Sequence, residues 1–297
     1  MNRMQAFILF LFLSYAALIA RTPQRFVNMS HAQIDSLLTV NASKEWKVSD
    51  KIKIYSDYFL EMPYKLTCAG DGPYALYEPW PLVNFRQTNC MVLCEHVLAL
   101  SISDSWDNFF NNLQQIRYKD GMIGMRTRNH YTMADWLPQN RWLLGDVTEK
   151  VGGNFIKSVT RTISHKKFFA GKGISDMRDV LPDRELSVDY IPFKELPNIE
   201  NNLRNGDIAA LIFAGKEDIF SAHMMIIVEE DGQKYIREAA MSKMTTLDTP
   251  YRQWVSGSRF KNGRYLGLAF MRVNEALNTP GKIIKPWEIR ELKKNKK

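Results

Sequence analysis

The sequence predicts an α+β fold, with an early helical part packed on a late antiparallel sheet. Two observations lead to this prediction. Between residues 30 and 116, apolar residues recur at helical spacing. Between residues 205 and 273, short apolar runs are separated by turn sequences such as Glu230-Asp231-Gly232, the pattern of strands joined by hairpins.

Four helices are predicted before residue 118. Each begins behind a residue whose side chain can cap the first turn: Ser30, Ser49, Asn89 or Thr88, and Ser103. The third helix, over 88–100, is almost wholly apolar and is therefore predicted to be buried. The fourth carries a single apolar stripe, which is typical of a helix that packs one face on the core.

The pattern weakens between Lys119 and Leu203, where glycine, proline and polar residues predict loops and short elements around a site. This segment includes a short predicted helix near 147–151 and an insertion across 164–184. The following part of the chain predicts four strands: Ile208 to Phe213, His223 to Val228, Gln233 to Ala239, and Tyr265 to Val273.

The N-terminus has the pattern of a secretory signal peptide. A short segment with Arg3 precedes fifteen apolar or small residues, Ala6 to Ala20, and Arg21 follows. We therefore expect a signal peptide over 1–20, a single domain over 21–281 and a basic tail over 282–297. An uncleaved N-terminal anchor is the alternative. No later segment is apolar enough to span a bilayer, so we expect an exported protein, in the periplasm or the cell envelope.

The net charge of +8 is concentrated at the C-terminus. Residues 282–297 hold seven basic and two acidic residues, which is five of the eight net charges. Because the rest of the chain is only mildly basic, nucleic acid is not an expected partner. A solvated tail is the simplest interpretation, and attraction to anionic envelope polymers is the functional alternative.

Three cysteines in an exported chain leave at least one thiol unpaired. We expect Cys68 and Cys94 to be structural, with a disulfide between them conceivable, and Cys90 to be free for chemistry. Cys90 begins the buried helix, where the positive end of the helix dipole favours a thiolate. A zinc site built on Cys90, Cys94 and His96 is not expected, because His96 points away from the two cysteines and no fourth ligand is evident.

A cysteine hydrolase also needs a base and a group that orients the base. His223 is the histidine that begins an apolar strand. If the hairpin turn is centred on Asp231 and Gly232, Glu238 lies diagonally across from His223 on the same face of the sheet. A shift of one residue would place Arg237 there instead. Taken singly, Cys90 and His223 are also compatible with inert positions in the core.

An ordered set of motifs resembles one family. They are Pro63-Tyr64, Asn89-Cys90 to Glu95, Ile116-Arg117-Tyr118, Arg128 to Tyr131 with Asp135-Trp136, Asn205 to Ile208, and the strands through His223 and Glu238. In this order they resemble the N-acetylmuramoyl-L-alanine amidase-like branch of the NlpC-type, papain-like cysteine hydrolases. The resemblance spans about residues 49–274. It implies a papain-like (NlpC-type) α+β fold with the nucleophile at the N-terminus of a central helix packed on an antiparallel sheet.

The resemblance implies a cell-wall amidase that cuts the bond between N-acetylmuramic acid and the L-alanine of the stem peptide, in peptidoglycan or in muropeptides. Cys90 matches the nucleophile and His223 the base, and no cofactor or metal is implied. Tyr64 matches a tyrosine facing the nucleophile, which can bind substrate or the oxyanion. The segment with Arg128, His130 and Trp136 matches the lining of the substrate groove, although structural pairing and core packing are nearly as well supported for these three. Arg117, Arg126 and Arg128 are further candidates for binding stem-peptide carboxylates, and a solvated or structural role is an equal alternative for each of them.

Three residues depart from the family pattern. Asn89 stands where the family usually has Asp, Met225 where it commonly has Gly, and Glu238 where it often has His. The first keeps the capping ability without the charge, and the second predicts a bulkier groove wall. The third leaves a carboxylate in place of an imidazole to orient His223. Two other functions remain open. The same cysteine and histidine could serve a stem-peptide endopeptidase of the same fold, and the departures at Asn89 and Glu238 favour a catalytically inactive cell-wall-binding module.

Overall fold

A computed structural model describes residues 24–257 and 262–295. The predicted signal peptide lies outside these residues. The longer helices are α1 (His31–Ala42), α2 (Val48–Asp57), α3 (Cys90–Ser101) and α4 (Trp106–Arg117). The shorter helices are α5 (Leu137–Gln139), α6 (Thr148–Gly152), α7 (His165–Gly171), α8 (Tyr251–Val255) and α9 (Ile289–Lys294). A π-helical turn over Thr132–Trp136 leads into α5, and a 3₁₀ segment covers Phe193–Asn202.

Eight strands form one antiparallel sheet in the described part of the chain. They are β1 (Leu144–Asp146), β2 (Lys157–Ile163), β3 (Arg184–Pro192), β4 (Ile208–Phe213), β5 (Ser221–Glu230), β6 (Gln233–Ala240), β7 (Thr245–Pro250) and β8 (Tyr265–Val273). The order across the sheet is β2, β3, β8, β4, β5, β6, β7, and β1 pairs with β8. This confirms the predicted α+β class with an antiparallel sheet.

Helix α3 occupies the centre of the helical layer. Every residue from Val92 to Ser101 is buried, because α2 and α4 flank the helix while β5 and β6 lie beneath it. Alternation along the strands divides the core in two. Ile208 and Ala210 of β4 face the helical layer, whereas Ala209 and Leu211 face a second cluster. Helix α8 and the 3₁₀ segment cover that second face of the sheet.

Sequence and structure agree where periodicity is strong. Ser30 caps α1 with a reciprocal contact to Gln33, and β4 and β8 have the predicted limits. Helix α2 begins one residue before Ser49, and α4 is capped by Ser105 rather than Ser103. The predicted short helix near 147–151 is α6. Between 119 and 203, however, β2 and β3 pair along seven residues where the sequence predicts loops. Strand β7 was also missed.

The basic C-terminal segment does not extend into solvent, so the solvated-tail interpretation is wrong for its described part. Ile284 and Ile289 are fully buried. The backbone oxygen of Ile284 accepts a hydrogen bond from Asn112 of α4 at 2.9 Å, and Lys285 pairs with Asp104. The segment is therefore packed on the helical layer.

Among residues 24–257 and 262–295, no helix combines the length and the apolar character needed to cross a bilayer.

Candidate active site

Cys90 is the first residue of α3, and Asn89 is its N-cap. The Asn89 side-chain oxygen accepts a hydrogen bond from the Val92 N–H at 2.9 Å, so Asn89 rather than Thr88 caps the helix. The remaining N–H groups of a first helical turn have no partner within the helix. They supply partial positive charge beside the thiol.

Cys90 is only half-buried, and its sulfur lies among hydrogen-bond donors. Burial disfavours a thiolate and raises the pKa of the Cys90 thiol. The positively charged His223 ring and the backbone N–H groups of Met224 and Met91 have the larger, opposite effect, so this pKa falls below its usual value. The other two cysteines behave in the opposite way. Burial raises the pKa of Cys68 to about 11 and raises that of Cys94 well above its usual value. Of the three cysteines, Cys90 alone combines partial exposure with a lowered thiol pKa.

His223 and Glu238 meet across the hairpin formed by β5 and β6. The turn residues Asp231 and Gly232 both have positive φ, and Ile226 pairs with Arg237, which confirms the predicted register. His223 Nε2 lies 2.7 Å from Glu238 Oε2. Burial disfavours the charged ring, but the Cys90 thiolate and Glu238 raise the pKa of His223 to about 10. With Nε2 held by the carboxylate, Nδ1 remains for the sulfur.

The neighbouring Arg237 is turned away from this site, as the register requires. It is fully buried and donates to Asp248 at 2.6 Å and to Ser56 at 2.7 Å. The carboxylate rather than the guanidinium therefore faces the imidazole.

Trp254 of α8 also contacts this carboxylate. Its indole N–H donates to Glu238 Oε1 at 2.8 Å, and both side chains are buried. Each oxygen of Glu238 therefore accepts from a different ring N–H, which fixes the rotation of the carboxylate. The sequence carries no signal for the role of Trp254, because α8 is only five residues long and nothing in its residues links it to the hairpin.

Tyr64 lies near Cys90, on a segment that pairs with Thr88 just before α3. The Lys65 N–H donates to the Thr88 backbone oxygen at 2.9 Å, which joins the segment around Tyr64 to the residues just before the helix. Burial and the negative charge of Cys90 raise the pKa of Tyr64, so its hydroxyl stays protonated and can donate. The Asn89 side-chain amide adds a second tie by donating to the Leu66 backbone oxygen at 2.8 Å.

The residues expected in the substrate groove do not all meet at Cys90. Arg128 forms ion pairs with Glu78 and with Asp71, the latter at 3.4 Å. His130 Nε2 lies 2.6 Å from the backbone oxygen of Met125, and burial lowers the pKa of His130 to about 4. Both side chains therefore organise the loops beyond the nucleophile.

Three expectations require correction. Trp136 is fully buried in the main core, so it lines no surface. Arg117 is also fully buried and pairs with Glu95 at 2.7 Å, which makes it a structural cation rather than a ligand for substrate carboxylates. Met225 has no exposed surface and therefore does not form a bulky groove wall.

The disulfide that was conceivable between Cys68 and Cys94 is absent, and both residues are free thiols. His96 is held inside the core, with Nδ1 2.9 Å from the Val92 backbone oxygen and Nε2 accepting from the Asn84 N–H at 3.3 Å. Within the described ranges, no group of three or more His, Cys, Asp or Glu residues is arranged to hold a metal ion.

A polarised thiol, an imidazole and a carboxylate in this order can carry out nucleophilic acyl transfer. This is chemistry that hydrolases use to cut amides and esters. Residues 54–261 match the model of the N-acetylmuramoyl-L-alanine amidase-like family, and the chain belongs to this family. The matched segment contains Cys90, His223 and Glu238.

Solved structures show the same fold at low sequence identity. A Legionella pneumophila protein is 21% identical with a TM-score of 0.74, and the alignment covers 86% of this chain and 96% of that one. An N-acetylmuramoyl-L-alanine amidase from Bacteroides uniformis is 23% identical with a TM-score of 0.60, covering 77% and 99% of the two chains. A putative xylanase from Bacteroides fragilis is 22% identical with a TM-score of 0.56, covering 73% and 98%. No curated protein matches the chain.

Proposed function

We propose that this protein is a papain-like (NlpC-type) cysteine amidase that hydrolyses the bond between N-acetylmuramic acid and L-alanine in peptidoglycan or its fragments. The observation that carries the proposal is the contact of His223 with Glu238 at 2.7 Å, combined with the lowered pKa of the Cys90 thiol. Family membership supports the bond, and the side-chain geometry supports the nucleophile.

In the first step, the Cys90 thiolate attacks the lactyl carbonyl carbon. The developing oxyanion is stabilised by the Cys90 backbone N–H and the Tyr64 hydroxyl, two donors beside the sulfur. These donors act on a charge that is fully developed only in the tetrahedral intermediate. They therefore accelerate the reaction rather than merely tighten substrate binding.

In the second step, the protonated His223 ring transfers its Nδ1 proton to the leaving nitrogen of L-alanine. The C–N bond breaks, and the lactyl group remains on Cys90 as a thioester. His223, now neutral, takes a proton from water, whose oxygen attacks the thioester carbonyl and releases the free acid and the thiolate. Glu238 holds the ring orientation in both steps and stabilises the charged ring in the first.

We further propose that the protein acts outside the cytoplasm, because its substrate polymer lies in the cell envelope and its N-terminus has the pattern of a signal peptide. Tyr64 is proposed as the oxyanion donor. Arg128 and His130 are proposed to act at the substrate groove only indirectly, by holding the loops that border it.

The test is digestion of purified muropeptides, with products identified by mass spectrometry. Amidase activity releases an intact stem peptide that begins with L-alanine. A Cys90→Ala variant is expected to release none, while a Cys94→Ala variant serves as the control for losing a buried thiol. Shortened glycopeptides would identify an endopeptidase instead. Binding without any product from the native protein would identify an inactive binding module.

A further inference from the structure

The basic C-terminal segment forms one wall of a cavity of about 1000 Å³. The opposite wall comes from the end of α4, the turn that follows it and the residues around α5. None of these elements carries Cys90, His223 or Glu238. We call this space the C-terminal cavity.

The lining of the C-terminal cavity is strongly cationic. Five basic side chains face one acidic side chain, Asp120. The basic residues are Lys119, Arg141, Arg290, Lys293 and Lys294.

Only some of this charge is compensated. Lys293 pairs with Asp120 at 3.4 Å and Lys294 with Glu291 at 2.7 Å. Across 24–257 and 262–295, no carboxylate lies within 4.0 Å of the Lys119, Arg141 or Arg290 side chain. Mutual repulsion of cations around one cavity costs stability, and an anionic ligand relieves that cost.

An indole also borders the C-terminal cavity. Trp287 is 72% exposed, although it lies two residues before the fully buried Ile289 that anchors the segment. Because Trp287 lines the cavity, its exposed indole is available to a ligand bound there. The flat indole face can pack against the apolar C–H face of a sugar ring, while the surrounding cations bind its anionic substituents.

The C-terminal cavity adjoins a second space of about 160 Å³, which shares Lys119, Pro138 and Gln139 with it. Three arginines line this second space, and each is paired: Arg126 with Asp176 at 3.3 Å, Arg128 with Glu78, and Arg184 with Asp135 at 3.1 Å. The charge of the second space is therefore largely compensated, and the excess of cations lies in the C-terminal cavity. Because the two spaces share lining residues, an extended ligand can reach from one into the other.

We propose that the C-terminal cavity binds an anionic saccharide polymer, at a site separate from the one that cuts substrate. Single-stranded nucleic acid is less well matched, because its binding sites stack successive bases on several aromatic residues, and this cavity exposes one. A flat membrane surface does not enter a concave site. The anionic groups can be carboxylates or phosphates, since guanidinium groups bind both.

The test measures binding of the full-length protein to four probes of matched length. Binding is monitored by tryptophan fluorescence at low and at physiological salt. The probes are an oligogalacturonate, a phosphorylated oligomannoside, a neutral maltooligosaccharide and a single-stranded DNA oligonucleotide. We expect one of the two anionic saccharides to bind best, and the better one identifies the anionic group. Strongest binding of DNA or equal binding of the neutral probe would overturn the proposal.

Matched variants separate this site from general electrostatics. Arg141→Gln with Arg290→Gln removes two cavity charges, and Lys150→Gln with Lys157→Gln removes two exposed charges elsewhere. We expect about a tenfold loss of affinity from the first pair and little change from the second, and a further loss from Trp287→Ala. Equal losses from both pairs would contradict the proposal.

Hydrogen exchange of the unmodified protein gives a second measurement that needs no variant. Amides of residues 286–294 should gain protection when the preferred probe is added, and unchanged exchange there would count against the site. Neither experiment depends on catalysis, so the C-terminal cavity and the amidase proposal succeed or fail separately.

Discussion

Replacing Glu238 with glutamine should disable the Cys90 and His223 pair without removing either residue. The carboxylate accepts from two donors at once, His223 Nε2–H at 2.7 Å and the Trp254 indole N–H at 2.8 Å. A glutamine amide has one accepting oxygen and one donating nitrogen. In Glu238→Gln, one of the two ring N–H groups must therefore face another donor.

The size of the effect follows from the bond that is lost. A hydrogen bond to a charged group contributes about 1.5 to 3 kcal/mol, and one pKa unit corresponds to about 1.4 kcal/mol. The pKa of His223, raised to about 10 in the native protein, should fall by roughly one to two units. The pKa of the Cys90 thiol should rise, because its cationic partner is less stable.

The sign of the pH dependence follows directly. The thiolate and imidazolium coexist above the pKa of Cys90 and below that of His223. In Glu238→Gln this pH range narrows from both ends. Catalysis needs both charged groups and should fall on the acidic and on the alkaline side, whereas labelling needs only the thiolate and should fall on the acidic side.

The assay is the rate of iodoacetamide labelling of Cys90 across pH, quantified by mass spectrometry of the Cys90 peptide. Cys68 and Cys94 are buried with raised pKa values, so their labelling should be slow. The control is Glu275→Gln, which removes an exposed acidic partner of Arg204. A Glu238→Gln profile that superimposes on the native profile would refute the role given to this carboxylate.

Three further substitutions test the surroundings of the site. The Asn89 amide donates to the Leu66 backbone oxygen. In Asn89→Asp, a carboxylate repels that oxygen and also disfavours the nearby Cys90 thiolate, so iodoacetamide labelling of Cys90 at neutral pH should slow by about fivefold. Trp254→Phe removes the indole N–H that donates to Glu238 Oε1. We expect kcat to fall by about tenfold with little change in KM. Equal changes in kcat and KM would indicate a purely structural role for Trp254. Arg117→Met leaves Glu95 charged and buried without its partner, and urea unfolding should show a loss of about 3 to 5 kcal/mol. An exposed Arg126→Met control should stay within about 0.5 kcal/mol.

The sequence predicted best what local rules determine. An asparagine before a long apolar run gave the position of Cys90 at a helix start, and the Asp231-Gly232 turn gave the register that brings His223 and Glu238 together. Both inferences rest on backbone geometry with few alternatives.

It predicted poorly what depends on tertiary packing. Arg117 and Trp136 belong to motifs that suggest substrate contact, yet each is buried by elements distant in sequence. Strands β2 and β3 pair mainly with each other at one edge of the sheet. Many of their side chains are exposed or half-buried, so their sequences lack the apolar runs of central strands. The C-terminal segment owes its place to buried Ile284 and Ile289, two residues that are obscured among the lysines.

In the proposed mechanism, Cys90 carries the muramoyl group as a thioester during turnover. Acid quenching of the protein during muropeptide turnover, followed by mass spectrometry of the Cys90 peptide, measures this directly. We predict an adduct on Cys90 with the mass of the N-acetylmuramoyl group and without stem-peptide residues. An adduct that carries stem-peptide residues, or turnover by the Cys90→Ala variant, would contradict it.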